Sequence, residues 1–309
     1  MRAIAEAPGK AIITGEHFVV HGAWALAAAV PRKVRVTVES STKFEVISDL
    51  FRRGESPELL PVSHVVEGMA REFSLKPTVR VTITSAVPGG AGLGSSAATM
   101  VAVAAAFSKL NSVGLKVDEL VDCAMAGEWS VHGKPSGVDP AVCARGGVIL
   151  FRTGAAPKKV SFDGTRSLIL SYSGLNRSTR GQIGHVTRMK DRYPGMFERL
   201  AGGIGDLSLR ASEMLQGGDL NGLGTLLTVN HAALMSLGVS NETLDGMVDL
   251  LLTMGCYGAK LTGAGGGGSV LAVAPEGKEK SIVSGLSARG FETFRVEIPV
   301  KGVRSWLER

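Results

Sequence analysis

Cysteine is scarce in this 309-residue chain and aromatic residues are few. The three cysteines, Cys123, Cys143 and Cys256, are odd in number and show no C-x-x-C spacing. That argues against a zinc site or a disulfide framework and for reduced thiols in the cytoplasm. Phe, Trp and Tyr make up 5% of the residues, and no basic run is interleaved with them. The stacking platform of a nucleic-acid binder is therefore missing. The longest apolar stretch, about 97–107, is too short to span a bilayer, and Glu16 and His17 follow Ala11-Ile12-Ile13 too soon for a secretory leader. There is no internal repeat, so the 41 glycines, which fall in short bursts, mark neither collagen nor low complexity.

What is present is an ordinary globular composition, 44% hydrophobic and 20% charged, long enough for one large or two medium domains. The net charge of +6 is concentrated: residues 151–210 carry eleven Lys/Arg against four Asp/Glu. A basic cleft for small anionic substrates accounts for this better than a nucleic-acid track.

The most informative segment is Pro88-Gly89-Gly90-Ala91-Gly92-Leu93-Gly94-Ser95-Ser96. It follows Val79–Thr84, whose β-branched alternation reads as a strand, and opens a helix-forming run through Phe107. Glycines on a strand-to-helix turn let phosphates lie against the main chain, where free N–H groups and the helix dipole favour an anion. No lysine follows Gly94, which excludes the P-loop, and the glycine intervals do not match the dinucleotide fingerprint. Ser96 is a candidate hydroxyl ligand for a phosphate-bound Mg²⁺.

Three other segments stand out. Ala7-Pro8-Gly9-Lys10 holds a lysine in an apolar setting, followed by Gly15-Glu16-His17 and His21, which do not form H-E-x-x-H. Glu128 ends a helical stretch, and Asp139 follows in the Pro/Gly-rich turn Gly133–Asp139. Two carboxylates near a phosphate cradle suit phosphoryl transfer, one for Mg²⁺ and one for the acceptor hydroxyl. A second glycine cluster, Lys260-Leu261-Thr262-Gly263-Ala264-Gly265-Gly266-Gly267-Gly268, is expected to face the first across a cleft.

Lys33–Glu39 alternates with its valines on one face, Val117–Val131 has helical spacing, and Gly147–Phe151 reads as a buried strand. Gly154–Lys159 reads as a link between halves. The second half opens with a strand at Ser167–Tyr172, is helical to about 254, and closes with strand, helix and strand. An α+β architecture follows.

Taken together and in this order, these segments resemble the GHMP kinase superfamily over effectively the whole chain. Within it they are most similar to the branch that phosphorylates mevalonate. Ala7–Lys10, Gly15–Gly22, Gly127-Glu128 with His132–Asp139, and Lys260–Gly268 carry that likeness. The resemblance implies two domains, residues 1–155 and 156–309, the first a ribosomal-protein-like β-α fold that binds ATP and the second ferredoxin-like, with the site between them. It implies ATP phosphates on Gly90, Ala91, Gly92, Leu93, Gly94, Ser95 and Ser96, with Mg²⁺ on Ser96 and Glu128. Asp139 is implied to take or orient the acceptor proton, with Lys10 stabilising charge at the reacting oxygens. Glu16, His17, Thr179, Arg180 and Gly265 are implied to contact mevalonate. An arginine of Asn176–Arg180 is expected on its carboxylate. Neither a nucleic acid nor a membrane is an implied partner, and a homodimer is compatible with the resemblance. Other acceptors of the superfamily (phosphomevalonate, homoserine, a sugar) and a non-catalytic nucleotide-binding relative are the alternatives. Ser269 stands where many relatives carry cysteine, a swap expected to have little consequence. Residues 40–65, where relatives contact adenine, show no such pattern.

Overall fold

The computed structural model describes residues 1–49, 60–132, 135–175 and 179–308, the side chains of 131, 132, 179 and 180 excepted. Two sheets organise the chain. The first runs β11-β1-β2-β4-β3, with β5 beside β2 and β6 beside β5. Its strands are β1 (Arg2–Thr14), β2 (Ala25–Ser40), β3 (Glu45–Ser48), β4 (Val79–Ser85), β5 (Val148–Phe151), β6 (Lys158–Val160) and β11 (Arg304–Glu308). β2 is long enough to pair β5 through Ala25–Ala28 and β4 through Val34–Ser40. The alternation expected of Lys33–Glu39 is present, with Val34, Val36 and Val38 buried.

The second sheet runs β10-β7-β9-β8, from β7 (Arg166–Tyr172), β8 (Gly258–Thr262), β9 (Ser269–Val273) and β10 (Glu292–Ile298). Counted in chain order these strands lie 4-1-3-2, antiparallel, with helices after the first and third; this is the ferredoxin-like arrangement. The helices are α5 (Thr179–Arg192), α6 (Pro194–Gly217), α7 (Leu220–Ser236), α8 (Glu242–Thr253) and α9 (Glu279–Ser287). Strand periodicity divides β7 between two cores: Leu168 and Leu170 join the one shared with the first sheet, and Ile169 joins the one under the helices.

In the first half, α1 (Leu60–Glu72), α2 (Ser95–Leu110), α3 (Val117–His132) and α4 (Val138–Arg145) cover the sheet. α2 is buried from Ala97 to Ser108, which is why its sequence is apolar on every side. Among the described residues no helix is long and apolar enough to cross a membrane.

Three expectations are corrected. Lys158 and Lys159 are not linker but part of β6, in the first sheet. β11 was not foreseen, and it returns the chain's end to β1, so the first sheet draws two strands from beyond residue 155. Asp139 is not in a turn; it lies in the first turn of α4, behind Gly137.

Candidate active site

β1 reaches the glycine loop through a register shift at Pro8/Gly9. There the Lys10 N–H donates to the Leu93 carbonyl at 2.8 Å. Gly9 is required for that approach, since a Cβ would stand 2.7 Å from the Leu93 oxygen. Gly94 precedes α2 at φ +76°, and a Cβ on it would stand 2.6 Å from Lys10 Cγ. These two glycines let the lysine stem run directly under the loop. Ala91 and Leu93 are buried and anchor the loop to the core, so what it can offer a phosphate is main chain. The first amides of α2 have no helical acceptor and point the same way.

Lys10, 4% exposed, brings Nζ to 3.0 Å from Asp139 Oδ2. Ser96, in the first turn of α2, donates Oγ–H to Glu128 Oε1 at 3.0 Å. Glu128 is 3% exposed, and its carboxyl is pushed up to about 7. Burial is the main cause and the negative charge of Asp139 adds to it; the Ser96 hydrogen bond and Lys10 oppose them. Lys10, Ser96, Glu128 and Asp139 thus form one coupled cluster at the start of α2.

A cavity of about 340 Å³ opens beside this cluster. Lys10 and Asp139 form part of its wall, with Glu16, His17, Val138, Ile183, Val186 and Lys190 among the other lining residues. Glu16 is buried and ion-paired with Lys260 of β8, whose Nζ also donates to the Leu261 carbonyl at 2.6 Å. Burial raises the Glu16 carboxyl and lowers the Lys260 ammonium, while each opposes the other's shift. The second carboxylate oxygen of Glu16 has no hydrogen-bond partner among the described residues. His17, at φ +62°, sets Nε2 2.9 Å from the Ala264 carbonyl.

Hydrogen bonds stitch the two halves together around this cavity. The Ile12 N–H donates to Thr262 Oγ1 at 3.1 Å, and Thr262 Oγ1–H donates back to the Ile12 carbonyl at 2.9 Å. The Gly15 N–H donates to Asn230 Oδ1 at 3.0 Å. Ser269 Oγ–H donates to the Ala91 carbonyl at 2.8 Å, so the strand that leaves the second glycine cluster is tied to the first loop. The serine in the cysteine position therefore ties β9 to the first glycine loop.

The structure brings Lys10, Glu16, His17, Ser96, Glu128 and Asp139 together. It does not place Gly265 on the cavity wall; Gly265 packs on Val239, and Gly263 and Ala264 line the cavity instead. Thr179 and Arg180 open α5, but their side chains lie outside the description, as do residues 176–178 and 50–59. Sequence reading gave Lys260 no role of its own and missed Asn230 and Lys190. The last carried a signal: Ile183, Val186 and Lys190 share one face of α5 at helical spacing. No group of three or more His, Cys, Asp or Glu gathers as a metal site among the described residues.

Residues 61–147 match the GHMP kinases N terminal domain, and residues 211–292 match GHMP kinases C terminal. The chain is 35% identical to mevalonate kinase of Aeropyrum pernix, with 97% of each chain covered. It is 32% identical to mevalonate kinase of Pyrococcus abyssi at the same coverage. The crystal structure of L. major mevalonate kinase in complex with R-mevalonate superposes with a TM-score of 0.82, at 29% identity over 96% of each chain.

Proposed function

This chain belongs to the GHMP kinase family, and from that premise we propose that it transfers the γ-phosphoryl group of ATP to the 5-hydroxyl of (R)-mevalonate. The observation that carries the reading is the Lys10–Asp139 contact of 3.0 Å, made on the cavity wall by a lysine whose own backbone and stem lie against the glycine loop. Asp139, about 30% exposed at its side chain, takes the proton of the 5-hydroxyl. The new O–P bond forms as the bond between the γ-phosphorus and its bridging oxygen breaks, and ADP leaves with that electron pair. Lys10, under the loop, stabilises negative charge on the transferring oxygens. Residues Gly90 to Ser96 hold the ATP phosphates through main-chain N–H groups.

Ser96 and Glu128 suit Mg²⁺. It takes one or two protein oxygens beside phosphate and water, and the buried Glu128 carboxyl and the Ser96 hydroxyl stand 3.0 Å apart, oxygen donors of the kind it prefers. When bound, Mg²⁺ supplies charge neutralisation at the phosphates. The protein's contribution is positioning and electrostatics, which dominate phosphoryl transfer. Glu16 and His17, on the cavity wall, contact mevalonate; the family likeness assigns Thr179 and Arg180 to the same substrate. The three cysteines are unpaired and buried, which fits the reducing cytoplasm where we place the reaction.

The test is phosphorus and proton NMR of the purified protein with ATP, Mg²⁺ and mevalonate. Formation of 5-phosphomevalonate is expected. Turnover of phosphomevalonate, homoserine or galactose, with mevalonate left unchanged, would replace the acceptor.

A further inference from the structure

Mevalonate carries its carboxylate at the end of the molecule away from the 5-hydroxyl. The acceptor cavity is lined by Ile12, Val19, Val138, Ile183 and Val186, so that charge needs a counter-ion inside it. Two lysines line the cavity. Lys10 is engaged with Asp139 at 3.0 Å. Lys190, on α5, is half-buried, and among the described residues no carboxylate forms an ion pair with it; its neighbour Asp191 is exposed at the rim.

Two further observations place and orient that ammonium. Lys190 and His21 also border a second cavity of about 440 Å³, walled by Trp24, Arg152 and Phe197, which neither Lys10 nor Asp139 touches. Lys190 and His21 therefore stand where the acceptor cavity adjoins the second one, whereas the reacting pair lines the acceptor cavity alone. Its Nζ lies 3.2 Å from His21 Nδ1, and the edge of the His21 ring meets Phe197 with centroids 4.9 Å apart. An ammonium donating to Nδ1 fixes the His21 tautomer and still has two N–H groups to give.

Resting on the mevalonate reading above, we infer that Lys190 is the counter-ion of the acceptor carboxylate and sets the preference for an acidic alcohol. His21 is its positioning residue. The stretch 176–180, where the sequence predicts an arginine in this role, supplies the outcome that would overturn the assignment.

The experiment compares mevalonate with 3-methylpentane-1,3,5-triol, which replaces the carboxylate by a neutral hydroxymethyl group. Wild-type protein should prefer mevalonate in kcat/KM. Lys190→Met should lower kcat/KM for mevalonate by about 10²-fold, mostly through KM. The triol gives Lys190 no charge to bind and should lose at most a few-fold, so the preference collapses. The KM for ATP should hold, and Lys190→Arg should recover most of the preference. Triol turnover by the methionine variant also reports that it is folded. A preference that survives in Lys190→Met, or that disappears instead in Arg180→Met or Arg152→Met, overturns the inference and leaves the mevalonate reading standing. So does equal loss of both acceptors in Lys190→Met. Wild-type protein that phosphorylates neither acceptor overturns both.

Discussion

Replacing Glu6 by glutamine tests how the strand that carries Lys10 is held. Glu6 lies on β1, 7% exposed, between the neighbouring strands β2 and β11. Arg35 donates to its Oε1 from Nε at 3.0 Å, and Arg304 donates to its Oε2 at 3.0 and 2.7 Å. Lys33 Nζ lies 3.3 Å from the same Oε2. Burial alone would push this carboxyl up, but the hydrogen bonds from Arg35, Arg304 and Lys33 override it and hold it at about 2, against an ordinary 4.5. At about 1.4 kcal/mol per pH unit, that difference is worth about 3 kcal/mol. The three cations are roughly half exposed, so solvent screening reduces the contribution to about 1–2 kcal/mol. The folded-state value is depressed, so the stabilisation is complete above pH 4.5 and is lost as the pH falls from 4.5 through about 2. Urea unfolding of wild type and Glu6→Gln at pH 7, 5 and 3.5 measures it. The variant should be less stable by that amount at pH 7 and 5, with the gap narrowing at 3.5. Equal midpoints at pH 7, or a gap unchanged down to pH 3.5, would refute the electrostatic account.

Three other outcomes are expected. Asp139→Asn should lose roughly 10²–10⁴ in kcat while ATP still binds, as calorimetry can show, and near-normal turnover would remove the base role. Ser96→Ala and Glu128→Gln should each raise the Mg²⁺ concentration needed for half-maximal rate; an unchanged Mg²⁺ titration would dismiss them as ligands. Lys260→Met should cost about 3–5 kcal/mol in denaturant unfolding, because Glu16 is left buried without its cation. The Glu16→Gln/Lys260→Met double variant should recover part of that loss, and a double variant no more stable than the single would show that the charge is not the cause.

The sequence alone determined the local geometry. Alternating valines make β2, helical spacing makes α3, and the glycine run between a strand and α2 makes a phosphate-sized turn, because each follows from backbone sterics over a few residues. The family likeness grouped Lys10, Ser96, Glu128 and Asp139 in one site, which spacing could not do. Tertiary structure alone decided that Lys260 is the partner of Glu16, that β6 and β11 complete the first sheet, and that Lys190 lines the acceptor cavity; it put the Lys10–Asp139 contact, which the likeness implied, at 3.0 Å. The residues of each such contact lie far apart in the chain, Glu16 and Lys260 by 244 positions. No short-range pattern encodes such a pair. They meet because strands from the two halves bury a common core, and a buried charge removed from water needs an opposite charge beside it.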